Sequence, residues 1–402
     1  MSSRSLNPTE LKIDILCNGL RLDPSLALDE AARPLPGSRA GLGSGLELVL
    51  HGDSRDVWVN APVKEAFVAA SPYLLEPSAA GHRIRDLRAG LKYPVRVAPR
   101  PAWYSTRTAR GLPMSFVAAL HGTCLYVIVG QRCRFWEESE RKNCLFCSTG
   151  LDPSWDEDLE VTVEDVVEAA SAARSQSEAT FVLLQSGYHG VGGLRAALPY
   201  LEALKKRVGM LVGIQFSPEQ DVALYDEAIS LGADHLSFAV EFYNAEYFRR
   251  LVPGKAESVG RTKFFRAMEY CARRMRRGRV SGQIIAGIEP LKDTLRAVEY
   301  IGYIGAFPLA CVFRPLEGTP MAGQPPPRYE DMLRVFRHVY QTCRRNNLPI
   351  NVAPNINWSL SVQPEDTLYL AQDAPADRVY QRWIRTLRLL MRPYFYRQLH
   401  RF

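Results

Sequence analysis

The chain has 402 residues, of which 47% are hydrophobic and 23% are charged, and its formal net charge at pH 7 is +7. These values are typical of a folded globular protein and argue against a disordered or fibrous chain. The sequence contains no apolar run of the roughly 18 residues that a membrane span needs, and no apolar stretch typical of a secretory signal follows Met1. We therefore expect a cytoplasmic protein. The basic excess would suit an anionic small molecule, and nucleic acid is a less favoured partner.

The first 117 residues contain no motif that indicates chemistry. Two short strands are predicted at 46–50 and 57–59, and the pair Gly52-Asp53 between them favours a turn. We expect a small α+β accessory or cap domain over residues 1–117.

From about residue 118 apolar strands alternate with amphipathic helices. The strands are predicted at 124–129, 180–184, 210–216, 235–240, 280–288 and 310–313. The helices are predicted at 162–175, 194–207, 219–231, 258–277 and 291–304. Strands that are apolar along their whole length and separated by helices are typical of a parallel sheet covered by helices. The predicted fold class is therefore α/β, with a partial (βα)6 parallel barrel over residues 118–321.

Residues 322–402 are predicted to form a mainly helical extension that closes the barrel. It would hold helices at 331–346 and from 376 to about 402, and a seventh strand at 350–352. Asn355, Asn357 and Trp358 follow that strand and are candidates for contact with a substrate. We interpret the aromatic, basic last helix as a packing face rather than as a membrane or RNA surface.

Three cysteines follow the first barrel strand. Ten residues separate Cys133 from Cys144, and two separate Cys144 from Cys147. Three thiolates on one segment can bind three irons of a [4Fe–4S] cluster and leave the fourth iron open. Cys124 is an alternative first ligand, but it begins the predicted strand and would lie at the opposite end of the barrel. A zinc site is the other interpretation, although the chain has no second Cys-x2-Cys.

The series of βα units with cysteines after its first strand resembles the radical S-adenosylmethionine (SAM) superfamily and its biotin-synthase-like members. The resemblance covers about residues 117–321. Phe146 supplies the aromatic residue that the family has before its third cysteine, whereas the long gap after Cys133 departs from the usual three residues. The resemblance implies a [4Fe–4S] cluster on Cys133, Cys144 and Cys147, SAM as the second cofactor, and a reducing partner such as flavodoxin or ferredoxin.

The same resemblance places candidate SAM contacts at the ends of the later strands. They are Ser186 and Gly187 after strand two, Glu241, Asn244, Arg249 and Arg250 after strand four, Gly287 and Glu289 after strand five, and Phe313 and Pro315 after strand six. Cys311 on strand six is a candidate catalytic hydrogen donor, and its alternative role is that of a small buried hydrophobic residue.

The implied function is reductive cleavage of SAM to a 5′-deoxyadenosyl radical, which removes hydrogen from a small or medium-sized substrate. The net charge would allow that substrate to be anionic. Two alternatives within SAM chemistry are transfer of the 3-amino-3-carboxypropyl group and modification of tRNA. A non-enzymatic binding protein stabilised by an iron–sulfur cluster or zinc is the alternative from another class.

Overall fold

The chain folds around two β-sheets, as seen in a computed structural model. The structure describes residues 4–26, 45–79, 81–130, 132–138, 142–151, 160–190 and 193–399. The first sheet belongs to the N-terminal region and the second forms the barrel. No described helix is long and apolar enough to cross a membrane.

The N-terminal region combines one helix with a six-stranded sheet. Helix α1 spans Pro8–Asn18, and the strands are β1 (Arg21–Leu22), β2 (Leu46–Leu50), β3 (Val57–Ala61), β4 (Tyr73–Ser78), β5 (Gly81–Asp86) and β6 (Lys92–Val97). Their order in the sheet is β1-β4-β5-β6-β2-β3. The predicted strands at 46–50 and 57–59 are confirmed as β2 and β3, which pair antiparallel. The sequence did not predict α1 or strands β4 to β6.

The second sheet has seven strands in the linear order β13-β12-β11-β10-β9-β8-β7. They are β7 (Ala119–His121), β8 (Cys124–Ile128), β9 (Phe181–Gln185), β10 (Leu211–Gln215), β11 (His235–Glu241), β12 (Val280–Ala286) and β13 (Phe307–Val312). The strands from β8 to β13 are parallel to their neighbours, and β7 pairs antiparallel with β8 at one edge. The predicted six-stranded parallel partial barrel is thus confirmed, with one added edge strand.

Helices precede, connect and follow the barrel strands. They are α2 (Met114–Val117), α3 (Arg134–Glu138), α4 (Val163–Ser177), α5 (Gly193–Ala203), α6 (Ala223–Ser230), α7 (Ala245–Leu251), α8 (Pro253–Ser258), α9 (Arg261–Arg274), α10 (Leu291–Tyr303), α11 (Tyr329–Arg345) and α12 (Pro375–Leu399). Thr162 caps α4, because its hydroxyl accepts a hydrogen bond from the Asp165 N–H. The predicted helix at 258–277 begins later, as α9, and the two short helices α7 and α8 precede it.

The predicted seventh strand at 350–352 is wrong. These residues form a turn, and Asn351 has a φ of 56°, in the left-handed region that extended strands do not use. Ile350 is fully buried, so its side chain belongs to the apolar core although its backbone is in a turn.

One apolar core passes through both sheets. Ile13 and Ile15 of α1, Val59 of β3 and Phe336 of α11 are buried in the same cluster as the barrel strands. A buried polar contact reinforces this connection, because Arg314, just after β13, forms an ion pair with Glu65 of the N-terminal region. The carboxyl end of the barrel is therefore fixed against the first sheet.

Candidate active site

The three cysteines that the sequence singled out come together at the carboxyl end of the barrel. Cys133 follows β8, and its Sγ accepts a hydrogen bond of 3.3 Å from the Tyr188 N–H, which follows β9. The Cys147 N–H donates to the Cys144 carbonyl at 3.0 Å, so these two residues share one tight turn. All three side chains are partly exposed. Active sites of parallel barrels lie at this end of the strands.

The junction between α7 and α8 holds the cysteine loop in place. The Leu145 N–H donates to the Leu251 carbonyl at 2.9 Å, and the Gly254 N–H donates to the Lys142 carbonyl at 3.1 Å. A Cβ on Gly254 would lie 2.5 Å from that carbonyl oxygen and 2.6 Å from the Phe135 ring. Only glycine permits so close an approach between the two backbones.

This approach brings the next residue, Lys255, beside the sulfurs. Its Nζ donates to Glu241 Oε1 at 2.6 Å and to the Ala239 carbonyl at 2.9 Å. The exposed fraction of the two charged side chains is only 14% and 8%. Glu241 has a φ of 69°, and the pairing of β11 with β12 shifts register between Ala239 and Glu241. Such bulges and strained residues cluster at functional sites, where they redirect a side chain.

The thiols and the lysine share one electrostatic environment. Burial raises the pKa of Cys144, the Lys255 cation opposes that rise, and Cys147 and Cys133 add to it. Burial also raises the pKa of Cys133, while the Tyr188 N–H opposes the rise. For Lys255, burial lowers the pKa, but Glu241 and the sulfurs of Cys144 and Cys133 together raise it above its usual value.

The donor set fits a cluster with three protein ligands. Each thiolate of a four-iron cluster binds a different iron, so the three sulfurs need not converge on one ion. Within the described ranges, no three His, Cys, Asp or Glu side chains converge as a single-ion site would require. The buried Lys255 supplies a positive charge beside sulfurs that must be deprotonated to bind metal. Cys133, Cys144 and Cys147 are therefore the residues that would hold the cluster.

The alternative first ligand, Cys124, lies at the other end of β8. It is the first residue of that strand, is fully buried, and directs its Sγ at the Asn357 carbonyl, 3.7 Å away. Burial raises the pKa of Cys124 to about 12. The preference for Cys133 thus agrees with the geometry.

The segment after β9 lies against the first cysteine. A Cβ on Gly187 would lie 2.9 Å from the Cys133 Cα and 3.1 Å from its Sγ. The Ser186 hydroxyl donates to the Gly187 carbonyl at 3.0 Å, and Tyr188 stacks on Phe135 with ring centroids 4.4 Å apart. Ser186 and Gly187 are thus close to the cysteines, and their contact with SAM stays a prediction.

The structure gives Asn244 another role. Its Oδ1 caps α7 by accepting from the Glu246 and Tyr247 N–H groups, and its Nδ2 donates to Asp293 at 2.9 Å. Glu289 accepts from the Asn244 N–H at 2.8 Å, and burial raises the pKa of Glu289 to about 7. Asn244 and Glu289 therefore brace the turn after β11, and their contact with SAM stays a prediction.

Arg249 and Arg250 are exposed on α7, and their described contacts stay within that helix. Arg249 Nε donates to the Ala245 carbonyl at 3.4 Å, and the Arg250 guanidinium lies 4.7 Å from the centre of the Tyr247 ring. The structure does not bring either arginine together with the cysteines. The buried cation there is Lys255, which the sequence analysis did not assign.

The remaining candidates lie at the ends of β12 and β13. Gly287 has a φ of 101°, and a Cβ there would lie 2.5 Å from the Pro327 Cβ. Phe313 and Pro315 are buried, and the Phe313 N–H donates to the Ala286 carbonyl at 2.9 Å. These contacts are structural, and the contribution of the three residues to SAM binding stays a prediction.

Inside the barrel lies a cavity of about 750 Å³. Cys311 lines it, and burial raises the pKa of Cys311 to about 12, so its thiol is neutral near pH 7. Trp358 also lines the cavity, whereas Asn355 and Asn357 bond to Thr123 at the amino end of β8. Gln185 and Gln215 line it too; the sequence analysis did not select them, although each is a polar residue that ends an apolar strand.

No family model matches the chain. It is 22% identical to the curated bacteriochlorophyllide c C-7(1)-hydroxylase of Chlorobaculum limnaeum over 260 aligned residues. The alignment covers 59% of this chain and 64% of the hydroxylase. The chain thus spans less than two thirds of the relative's length.

Solved structures similar to the chain include HydG, a maturase of the [FeFe]-hydrogenase, with 12% identity and a TM-score of 0.44 over 54% of this chain and 49% of that one. A radical SAM methyltransferase from Sphaerobacter thermophilus has 14% identity and a TM-score of 0.43 over 69% of this chain and 75% of that one. At these identities and TM-scores the function is inferred from the site residues themselves.

Proposed function

We propose that the chain is a radical SAM enzyme that removes a hydrogen atom from a substrate bound inside the barrel. The observation that carries this proposal is the grouping of Cys133, Cys144 and Cys147 beside the buried Lys255–Glu241 pair at the carboxyl end of a parallel barrel. A [4Fe–4S] cluster on the three sulfurs, together with SAM, would supply a 5′-deoxyadenosyl radical by one-electron cleavage of a carbon–sulfur bond.

The chain's own residues would bind and orient these groups. The Gly254 contact and the Tyr188 N–H fix the cysteine loop, and Lys255 offsets the negative charge of the thiolates. The barrel walls would exclude water from the reacting centre and hold the substrate near it. The electron would come from a partner of the flavodoxin or ferredoxin class.

The curated relative is named as a hydroxylase, and its similarity to the chain supports a reaction that begins at a carbon–hydrogen bond. Cys311 is the candidate donor for returning a hydrogen atom, because its neutral thiol lines the cavity. We propose hydrogen abstraction as the common first step, whatever product follows.

The test is anaerobic reconstitution with iron and sulfide, followed by reduction with dithionite and an assay of 5′-deoxyadenosine from SAM. We expect product from the wild type, background levels from Cys133→Ala, Cys144→Ala and Cys147→Ala, and normal iron content in Cys124→Ala. Cys271→Ala is the matched control, since Cys271 is a buried thiol of α9.

Two of the alternative functions predict a different result in this assay. Methylthioadenosine in place of 5′-deoxyadenosine would indicate transfer of the 3-amino-3-carboxypropyl group. A bound cluster without cleavage of SAM would indicate a binding protein. Loss of iron from Cys124→Ala with retention in Cys133→Ala would overturn the ligand assignment.

A further inference from the structure

The barrel cavity has mostly apolar walls. Tyr126, Phe181, Leu183 and Leu309 face it from the strands, and Trp358 closes it from the segment that follows α11. Its volume of about 750 Å³ lies in the upper part of the range found for ligand sites, about 300–1,000 Å³. A site of this size would take a molecule well above the size of an amino acid.

Uncharged polar groups form one layer across this cavity. Gln185, Gln215, Ser237 and Ser281 are aligned in the register of four neighbouring strands, and all four line the cavity. The Ser237 Oγ is buried and has no hydrogen-bond partner among the described residues. Because a buried polar group without a partner is costly, this hydroxyl is available to a ligand.

Charged groups that line the cavity lie at its amino end. Asp234 Oδ1 is 3.7 Å from Arg279 Nη2, and Lys205 donates to Asp234 Oδ2 at 2.7 Å. Arg276 and Arg277 are exposed on the rim. Because these charged groups are either paired with one another or exposed to solvent, their charge is screened from the centre of the cavity.

Burial shifts the pKa values of two further ionisable groups in the wall toward their neutral forms. Burial lowers the pKa of His235 to about 4, and its Nε2 lies 2.8 Å from the Ser281 hydroxyl. Burial raises the pKa of Glu365. The walls thus combine apolar surface with the neutral His235 ring and the uncharged glutamine and serine side chains.

We propose that the cavity binds an uncharged, largely hydrocarbon molecule, whose few polar groups pair with the glutamine and serine layer. This ligand class differs from the expectation of an anionic substrate, which rested on net charge alone. That the bound molecule is the substrate rests on the proposed function, whereas binding in the cavity does not.

The test uses two dyes that differ by one charge, N-phenyl-1-naphthylamine and its 8-sulfonate, titrated into the whole chain with its cluster reconstituted. Because a buried sulfonate without a cation is costly, we expect the neutral dye to bind about tenfold more tightly. Fluorescence enhancement of each dye gives the dissociation constant.

Variants then locate the bound dye. Leu309→Trp fills the cavity from β13 and should weaken binding of the neutral dye about tenfold. Tyr303→Trp adds the same side chain at a position that is 78% exposed, and should leave binding unchanged. A double change of Leu389→Ser and Leu390→Ser removes exposed apolar side chains from α12 and should also leave it unchanged.

Tighter binding of the sulfonate dye would overturn the proposal. It would also be overturned if the Leu389→Ser, Leu390→Ser variant weakened binding of the neutral dye and Leu309→Trp did not. The 5′-deoxyadenosine assay without substrate is independent of the cavity. If the dyes do not bind as expected but the protein still cleaves SAM, only the ligand class is rejected. If the dyes bind as expected but no 5′-deoxyadenosine forms, the proposed chemistry is rejected.

Discussion

Two buried lysines, one at each end of the barrel, have similar partners, but their pKa values shift in opposite directions. At the carboxyl end Lys255 donates to Glu241 and to a backbone carbonyl. At the amino end Lys12 of α1 donates at 2.8 Å both to Asp366 and to the Trp358 carbonyl. Burial lowers the pKa of Lys12 despite Asp366, whereas the anions around Lys255 outweigh burial and raise its pKa.

The difference between the two ends lies in the sulfurs. Both lysines have one carboxylate partner, but Lys255 also has Cys144 and Cys133 nearby. The carboxyl end is therefore arranged to hold several negative groups around one cation, which is what a thiolate-bound cluster requires. At the amino end, the ion pair of Lys12 with Asp366 joins helix α1 to the segment between α11 and α12.

The largest effect is expected at the carboxyl end. Lys255→Met leaves Glu241 buried without a cation, and breaking such a pair costs about 3–5 kcal/mol in the free energy of unfolding. Urea denaturation under anaerobic conditions measures this cost. The double variant Lys255→Met with Glu241→Gln should recover part of it, because no uncompensated charge remains.

The control for this prediction is the exposed pair of Arg207 and Glu164, whose side chains are 48% and 60% exposed. Arg207→Met should leave the free energy of unfolding nearly unchanged, because solvent screens exposed pairs. A Lys255→Met variant as stable as Arg207→Met would contradict the role given to the buried pair.

A smaller loss is expected for Lys12→Met at the amino end, about 1–3 kcal/mol, because the partner keeps other contacts. Asp366 still accepts from the Gln363 N–H at 3.0 Å and lies 3.8 Å from Arg55 Nη2. The same denaturation experiment applies, and 5′-deoxyadenosine formation should persist. If Lys12→Met proved more costly than Lys255→Met, the contrast between the two ends would be wrong.

The smallest effect is a pH dependence at His235. Its folded-state pKa of about 4 lies below the unfolded value of 6.5, so folding favours the neutral ring. The resulting stability is complete above pH 6.5 and is lost as the pH falls toward about 4. Between pH 7.5 and 5.5 the wild type should lose about 1 kcal/mol more than His235→Gln. Equal losses in urea titrations at the two pH values would show that His235 does not titrate as inferred.

The sequence predicted the barrel well because its strands are apolar on both faces and each is followed by a helix. The same reasoning placed Cys124 at the amino end of β8, and the structure confirms that position. The strands of the first sheet were harder to predict. In β6 buried and exposed residues alternate and one position is proline, so no continuous apolar run marks it.

The candidate site was predicted less completely than the fold. Asn244 precedes an acidic residue of the first helical turn, Glu246, a pattern that favours a helix start, and this signal could have predicted its capping role. Lys255 could not be distinguished from Arg249 and Arg250 by type alone. Its burial depends on the backbone contact that Gly254 allows, and such a contact between distant segments leaves no local pattern in the sequence.

The bond between Lys12 and Asp366 also has a consequence for how the protein is made. The two residues are 354 positions apart, so at ordinary rates of translation the lysine waits roughly 18–70 s for its partner to emerge. During that time α1 carries a cation that cannot be buried without cost. The Lys12–Asp366 pair that holds the first helix can therefore form only after synthesis has passed residue 366.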